Sequence, residues 1–310
     1  MKWIAKAILQ KAFSLIPSGY RLNYIFQKKV TKRLIATEAN IATRIRWAGE
    51  HLQYYSQATG NTLPSSVLEL GTGWWLTVPI SLFLCGVKRI VTIDITPLAR
   101  LDELRALLTT YANIPYDRLK TYLPQADKNL HNRLIEIASK PMDNMNEILR
   151  QMNIEYIITD ARKTPFKQGE FDLILSNTTL EHIAEPILRG IFAEFARISG
   201  TNTVMSHLID LSDHYAHVDK SLSSYNFLRY SKRTWALLFN NSLQYQSRLR
   251  FSDYQTIYDQ SGFQVVMSSV NRDSAPQLAK IPVHPDFSSY TQDDLAVTSA
   301  WMVSTLAERM

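Results

Sequence analysis

The stretch VLELGTGWWLTVPI, residues 67–80, decides the fold of this 310-residue chain. It opens with an apolar run typical of a buried strand, passes Glu69 and enters a turn that contains Gly71 and Gly73. Glycines at this spacing let backbone N–H groups approach a ligand at the start of a helix, in dinucleotide sites and nucleoside sites alike. The stretch therefore predicts a strand, a ligand-binding turn and a helix, in that order.

Two residues of the stretch distinguish between these two kinds of site. In the dinucleotide pattern G-x-G-x-x-G, the third glycine would fall on Leu76, where close packing of the helix requires Gly or Ala. Glu69 places a carboxylate where a pyrophosphate would be repelled and a cation attracted. The stretch thus favours a positively charged nucleoside, and a nicotinamide-dependent oxidoreductase is the alternative interpretation.

Beyond this stretch, apolar runs alternate with helical segments. The first four runs are rich in Ile, Val and Leu with little alternation, as expected of parallel strands that are covered on both faces. We predict an α/β fold, a doubly wound and mostly parallel seven-stranded sheet of the Rossmann-like type, with ligands at the carboxyl ends of its strands. The predicted strands span residues 66–70, 89–95, 156–160, 172–176, 203–209, 264–270 and 296–304.

Polar residues end the second and third of these strands. Asp94 ends the run RIVTIDI, 21 residues after Gly73, where a carboxylate can accept hydrogen bonds from ribose hydroxyls. Asp160 ends the run EYIITDAR, is followed by Ala161, and is placed to receive an exocyclic adenine amine. Each acid alone would equally suit a helix cap or a solvated turn, but their order along successive strands indicates one shared site.

The fourth strand continues the series. The segment FDLILSNTTLEHI turns at Ser176 and Asn177 into a helix that carries Glu181 and His182. Four successive strands that each end in a suitable polar residue form a more specific signal than any one of them.

In these segments the chain resembles the class I S-adenosylmethionine-dependent methyltransferases, of the methyltransferase type 11-like kind. VLELGTGWW is similar to their glycine-rich first motif, TIDI to the segment with the ribose-binding acid, and TDARKTPFKQGEFDLILSNTTLEHI to the adenine-binding acid and the fourth strand. The resemblance spans roughly residues 66–209 and implies S-adenosyl-L-methionine as cofactor and S-adenosyl-L-homocysteine as product. The cofactor-binding residues on which we settle are Glu69, Gly71, Thr72, Gly73, Asp94, Ile95, Asp160, Ala161 and Asn177.

The resemblance also implies a role for most of this set. Gly71 and Gly73 approach the methionine portion of the cofactor, and Glu69 lies near its ammonium group. Asp94 holds the ribose, and Asp160 with the residue after it contacts the adenine.

The predicted domain organisation has two parts. Residues 1–60 form a helical N-terminal extension, and residues 61–310 form the methyltransferase domain, with insertions at about 97–153 and 211–251. Both insertions are too long for simple connections, so we expect them to act as lids over the site. The aromatic side chains of the second insertion either line an apolar pocket or form the core of the lid; they are Tyr215, Tyr225, Phe227, Tyr230 and Trp235.

Histidines and acids cluster in HLIDLSDHYAHVD, residues 207–219, where the fifth strand opens towards the site. This density suits a metal site, a general base or a polar turn. Methyl transfer from a sulfonium requires positioning and, for an acceptor that carries a proton, a base, but it requires no metal. We predict no metal, and we choose His207 as the base because a strand end is rigid, with His214 second and His182 as the rival after the fourth strand.

Composition narrows the remaining possibilities. Hydrophobic residues make up 45% of the chain and charged residues 20%, so a large core can form. No apolar run reaches the roughly 20 residues of a membrane-spanning helix, and no signal-peptide pattern is present, so we expect a cytoplasmic protein. The single cysteine, Cys85, excludes a disulfide within the chain and a thiolate zinc site.

The charge of the chain is uneven. Eight basic residues and no acidic residue precede Glu38, and residues 1–16 have the four-residue apolar spacing of an amphipathic helix. This helix either docks on the body of the protein or makes peripheral contact with an anionic membrane surface. The rest of the chain has no basic and aromatic stripe, so we expect no nucleic-acid partner.

The favoured function is methyl transfer to an oxygen, nitrogen or carbon nucleophile of a small molecule, which the aromatic insertion suggests is apolar or lipid-like. A nucleoside-binding partner protein without catalytic activity is a second alternative, beside the oxidoreductase.

Overall fold

The computed structural model describes residues 35–141, 143–217, 219–240, 245–273 and 275–307. The basic N-terminal block and the predicted helix of residues 1–16 lie outside the described residues. Of the predicted N-terminal extension, the structure describes one long helix, α1 (Glu38–Thr59). Within the described part of the chain, no helix is long and apolar enough to cross a membrane.

The centre of the fold is a seven-stranded sheet in the order β3-β2-β1-β4-β5-β7-β6. The first five strands are parallel, and β7 runs antiparallel to both β5 and β6. The strands are β1 (Ser66–Leu70), β2 (Arg89–Asp94), β3 (Ile154–Ile158), β4 (Leu173–Asn177), β5 (Val204–Asp210), β6 (Phe263–Arg272) and β7 (Val297–Leu306). The predicted fold class is confirmed.

The strand order reverses between β1 and β4. From β1 the chain moves outward through β2 to β3, then returns to the other side of β1 and moves outward again through β4 and β5. In the register of the sheet, Leu70 at the end of β1 lies between Ile93 and Ser176. A crevice therefore opens at the carboxyl ends of β1 and β4, the place where open α/β sheets bind ligands.

Helices cover both faces of the sheet. One face packs against α1, α2 and the helices of the first insertion, and the other packs against α7 and α9. Between the strands lie α2 (Thr77–Leu84), α3 (Leu101–Ala112), α4 (Tyr116–Tyr122), α5 (Lys128–Ser139), α6 (Met145–Arg150), α7 (Glu185–Ile198), α8 (Lys232–Leu238), α9 (Phe251–Gln260), α10 (Ala275–Ala279) and α11 (Gln292–Leu295).

The sequence of α1 explains its position. Ile41, Ile45 and Leu52 share one face at helical spacing, and each is buried against the sheet. The Thr37 side chain accepts a hydrogen bond from the backbone N–H of Asn40 and starts the helix, and Gly60 ends it in the left-handed conformation with φ of 74°. The helix is thereby fixed along one face of β4 and β5.

The first insertion does not form a lid. Its helices bury Leu107, Leu134 and Ile148 in the same apolar cluster as Val67 of β1. They are amphipathic, and their apolar faces complete the layer that covers one side of the sheet. The expectation of a lid at residues 97–153 was therefore wrong.

The second insertion forms a small core of its own. Tyr215, Tyr225, Phe227 and Trp235 are buried against one another, together with Leu278 and other residues that lie between β6 and β7. These aromatic side chains form the core of a substructure, the second of the two roles we considered for them.

Arg250 joins this substructure to the sheet. Its side chain is fully buried, and the guanidinium donates to the carbonyl oxygen of Leu211 at 2.9 Å and to that of Val297. It also lies over the ring of Phe227, 5.4 Å from the ring centroid. One planar cation therefore bridges the chain after β5 and the start of β7.

We expect Arg250→Ala to lower the free energy of unfolding by about 2 to 4 kcal/mol, because it empties a filled site and leaves buried carbonyl oxygens without a donor. Arg229→Ala, which removes an exposed arginine of the same insertion, is the matched control and should change the free energy by less than about 0.5 kcal/mol. Urea titration followed by circular dichroism measures both values. Equal stability of the two variants would contradict the bridging role.

Candidate active site

The turn after β1 is built for close approach. Gly71 and Gly73 have φ values of 88° and 62°, in the left-handed region that favours glycine. A Cβ atom on Gly71 would lie 2.3 Å from Oγ1 of Thr179, which follows β4, whereas a Cβ on Gly73 would meet nothing within 4 Å. Gly71 is thus required by the packing of two turns, and Gly73 borders open space that a ligand can fill.

Asp94 at the end of β2 fixes this turn. Its Oδ2 accepts a hydrogen bond from the Gly73 N–H at 2.8 Å, and its Oδ1 accepts one from the Thr96 N–H at 3.0 Å. Each carboxylate oxygen keeps a lone pair for a further donor, such as a hydroxyl. Next to it, Ile95 is 71% exposed and offers an apolar surface.

Glu69 is buried below the turn. The Thr92 hydroxyl donates to its Oε2 at 2.7 Å, and the Thr72 hydroxyl lies 2.6 Å from that of Thr92. Burial raises the pKa of Glu69 to about 8; the Thr92 hydrogen bond opposes this shift and the neighbouring Asp94 carboxylate adds to it. The structure thus brings Glu69, Thr72, the glycines and Asp94 together, with the Thr72 side chain directed into the core.

Asp160 lies beside this group but not at a strand end, since β3 stops two residues earlier than the predicted end. The Thr159 N–H donates to the Asp94 carbonyl oxygen at 2.9 Å, which places this segment against the end of β2. The Arg162 side chain lowers the pKa of Asp160 and donates to both of its carboxylate oxygens from Nε at 3.0 Å. Ala161, which lies between these two residues in the sequence, is buried.

Asn177 at the end of β4 belongs to a buried hydrogen-bond chain. Its Oδ1 lies 3.1 Å from His51 Nε2, and His51 Nδ1 lies 2.7 Å from the Ser206 hydroxyl. Because Asn177 Oδ1 can only accept, His51 carries its proton on Nε2, and its Nδ1 accepts from the Ser206 hydroxyl, whose oxygen in turn accepts from Trp301 Nε1 at 2.9 Å. Asn177 Nδ2 is buried without a hydrogen-bond partner among the described residues.

Sequence reasoning missed His51 and Trp301. The available signal was the position of His51 on the buried face of α1, one residue before Leu52 and four before Tyr55. Its partners lie on three other elements, far away in sequence. Burial lowers the pKa of His51 to about 3, so it stays neutral and acts as a structural link.

The structure does not support His207 as the general base. Its ring is fully buried in β5, its Nδ1 lies 2.7 Å from the Ser176 hydroxyl, and it stacks on Phe195 with ring centroids 6.0 Å apart. Phe192 and Tyr258 enclose the same ring. Burial lowers the pKa of His207 to about 3, so this face of β5 disfavours the imidazolium that a base must become.

His182 and His214 lie together near the ends of β4 and β5. Their ring centroids are 4.9 Å apart, and ligand atoms of both lie within 4.8 Å of a carboxylate oxygen of Glu181. His182 is exposed and its Nδ1 lies 2.7 Å from the Tyr245 carbonyl oxygen, and His214 is partly buried. Asp210, the last residue of β5, faces His214 across 3.6 Å.

Two surface cavities lie elsewhere. One of about 200 Å³ is bordered by Arg105 of α3 and Ile137 of α5, and one of about 340 Å³ is bordered by Tyr55 and by Asp172 at the amino end of β4. Neither touches the glycine turn. The candidate site is therefore defined by the polar groups at the carboxyl ends of the strands.

Comparison with known proteins gives one family match and several distant structural likenesses. Residues 120–201 match a family model described as a methyltransferase domain. A comparison with curated protein sequences finds no significant match. The matched segment contains β3, β4 and α7 but not the glycine turn.

The similar solved structures share little sequence with this chain. A proposed methyltransferase from Bacillus halodurans has 14% identity and a TM-score of 0.43, over 84% of this chain and 100% of that chain. A proposed sarcosine dimethylglycine methyltransferase from Galdieria sulphuraria has 15% identity and a TM-score of 0.44, over 86% of each. A geranyl diphosphate methyltransferase in complex with S-adenosylmethionine has 9% identity and a TM-score of 0.44, over 84% of this chain and 85% of that chain.

The sheet order confirms the predicted fold, and the family match gives a methyltransferase domain at residues 120–201, in agreement with the predicted class. The residues at the glycine turn fit S-adenosylmethionine, the cofactor of that class. Gly73 leaves space beside the turn, the Asp94 carboxylate suits hydroxyl donors, and the buried Glu69 carboxyl suits a cationic group.

We expect Gly71→Ala and Gly73→Ala to separate packing from ligand binding. Gly71→Ala should lower the free energy of unfolding by about 3 kcal/mol or more, because it adds a clash with Thr179 to an unfavourable φ. Gly73→Ala carries only the φ cost, about 1 to 2 kcal/mol, but it should weaken binding of S-adenosylhomocysteine. Urea unfolding and calorimetric titration give the two quantities, and the reverse ranking of stabilities would refute the turn geometry.

A further prediction concerns His207→Gln. The folded pKa of about 3 lies below the unfolded value of 6.5, so the neutral ring contributes stability above pH 6.5 that is lost as the pH falls towards 3. Between pH 7 and pH 5 the parent should therefore lose about 2 kcal/mol of unfolding free energy relative to the variant. The affinity for S-adenosylhomocysteine should not change. A parallel pH dependence in both proteins would show that this histidine is not buried.

Proposed function

We propose that this chain transfers a methyl group from S-adenosylmethionine to an oxygen, nitrogen or carbon nucleophile of a small molecule, at the crevice between β1 and β4. The observation that carries the proposal is the contact between the Gly73 N–H and the Asp94 carboxylate, because it positions an acceptor of hydroxyl hydrogen bonds beside an open glycine.

The assignment of the cofactor-binding residues is part of this proposal. Asp94 would accept hydrogen bonds from the ribose, and the exposed Ile95 would pack against the base. Asp160 keeps lone pairs for an adenine amine although Arg162 occupies both of its oxygens. Burial raises the pKa of Glu69, and an ammonium group of the cofactor would stabilise the charged form of this carboxyl group.

The acceptor would lie on the β4 and β5 side of the crevice. When bound, the cofactor supplies a methyl group that is already activated, so the protein positions the nucleophile and removes its proton where it has one. His182 and His214 are the two histidines placed there, and they replace His207 in this role. Asn177 Nδ2, which lacks a partner among the described residues, can donate a hydrogen bond to a ligand.

The second insertion supports an apolar acceptor. Leu237 and Leu238 of α8 are 58% and 54% exposed, on a substructure that follows directly from β5. Leucines with this exposure offer an apolar surface to a small molecule. An apolar or lipid-like acceptor is therefore the version of the proposal that we favour.

The test is the effect of Asp94→Ala on binding of S-adenosylhomocysteine. Loss of charge-assisted hydrogen bonds to the ribose should cost about 1.5 to 3 kcal/mol, which weakens binding roughly 10- to 150-fold. Asp127→Ala is a matched control, because Asp127 also accepts hydrogen bonds from two backbone N–H groups but does so at the start of α5. Isothermal titration calorimetry measures the affinity of all three proteins.

Equal affinity of Asp94→Ala and the parent would remove Asp94 from the cofactor site. Transfer of labelled methyl groups from the cofactor to small molecules of a cell extract would then identify the acceptor. Tight retention of a nicotinamide cofactor would favour the oxidoreductase, and binding of S-adenosylhomocysteine without any transfer would favour the silent partner protein.

A further inference from the structure

Glu181 is an unusual carboxyl group. It is 1% exposed, and neither of its oxygens forms a hydrogen bond with a described residue. A buried carboxyl group without a hydrogen-bonding partner calls for a cation beside it.

The neighbouring histidines present suitable ligand atoms. The Nδ1 of His182 lies 2.7 Å from the Tyr245 carbonyl oxygen, so this nitrogen carries the proton and Nε2 keeps its lone pair. A backbone carbonyl that orients the far side of a histidine ring is a common feature of metal-binding histidines. The ring of His214 lies 4.9 Å from that of His182, and one of its nitrogens lies within 4.8 Å of a carboxylate oxygen of Glu181.

Contrary to our expectation of no metal from the sequence, we propose that Glu181, His182 and His214 bind one divalent transition-metal ion, with Asp210 as a further carboxylate beside it. One ligand atom from each of the three residues lies within 4.8 Å of the others. Tetrahedral metal–ligand bonds of about 2.0 to 2.2 Å place ligand atoms about 3.3 to 3.6 Å apart, so side-chain shifts of up to about 1 Å complete the site. Two imidazoles and a carboxylate favour zinc, manganese or iron over magnesium or calcium, which prefer oxygen ligands alone.

The position of this ion site would deepen the proposed function, on which the following step rests. Glu181 and His182 follow β4, and His214 follows β5, on the acceptor side of the crevice. An acceptor hydroxyl bound to the ion would lose its proton to water more readily. Its oxygen would then form the new bond to the methyl carbon as the bond from that carbon to sulfur breaks and the thioether leaves. The acceptor class is thus a small molecule with a hydroxyl oxygen that can bind the ion.

The direct test is zinc binding by the full-length chain without a histidine tag, after removal of metals with a chelator. Titration calorimetry with zinc chloride should show one ion per chain with micromolar or tighter affinity. Glu181→Gln keeps the shape of the side chain but removes its charge, and it should weaken zinc binding about 100-fold or more. His284→Gln is the matched control, since His284 lies at the surface and caps the short helix at Asp286, and it should bind zinc like the parent.

Thermal unfolding distinguishes a variant that has lost the zinc site from a variant that does not fold. In chelator, Glu181→Gln should unfold at the same temperature as the parent or higher, because a buried acid without a hydrogen bond is removed. Zinc should raise the unfolding temperature of the parent and of His284→Gln but not that of Glu181→Gln. Absence of zinc binding in the parent, or equal binding by Glu181→Gln, would overturn the proposal.

Binding of S-adenosylhomocysteine by the same samples separates this inference from the proposed function. If the protein binds S-adenosylhomocysteine but does not bind zinc, the ion site alone is refuted. Binding of zinc without the nucleoside would refute the proposed function and leave the ion site in place.

Discussion

The close approach of the turns that follow β1 and β4 is the constraint on which the site depends. At the point where the strand order reverses, Gly71 packs against Thr179 so closely that no side chain fits on the glycine. The Gly71 N–H is also bonded to the Ile93 carbonyl oxygen at 2.8 Å, so the ends of three strands are tied together. This arrangement in turn delivers the Gly73 N–H to Asp94 and leaves the space beside Gly73 open.

Much of the fold could be predicted because its signals are local. The apolar runs of the strands are contiguous in sequence, and the structure places all seven strands within about two residues of the predicted ends. The first insertion was misjudged for a physical reason. An amphipathic helix shows that it has a partner, but it does not show whether that partner is a ligand or the sheet, and here Leu107 and Leu134 face the sheet.

The candidate site divides in the same way. The glycine turn and Asp94 come together through short segments that the sequence displays directly. The link from His51 through Ser206 to Trp301 joins residues from three elements, and no local pattern reports it. The prediction of His207 as the base was wrong because β5 is covered on both faces. The alternation of side chains along the strand shows that His207 and Ser206 point to different faces of the sheet. Only the tertiary fold shows that the face with His207 is covered by Phe195 and Tyr258.

Equilibrium dialysis of the full chain against labelled S-adenosylmethionine, with competing nucleotides, tests most directly whether the crevice between β1 and β4 holds this cofactor. We expect one molecule bound per chain, displaced by S-adenosylhomocysteine and unaffected by an equal concentration of NAD. Displacement by NAD, or no binding of S-adenosylmethionine by the folded protein, would contradict this expectation.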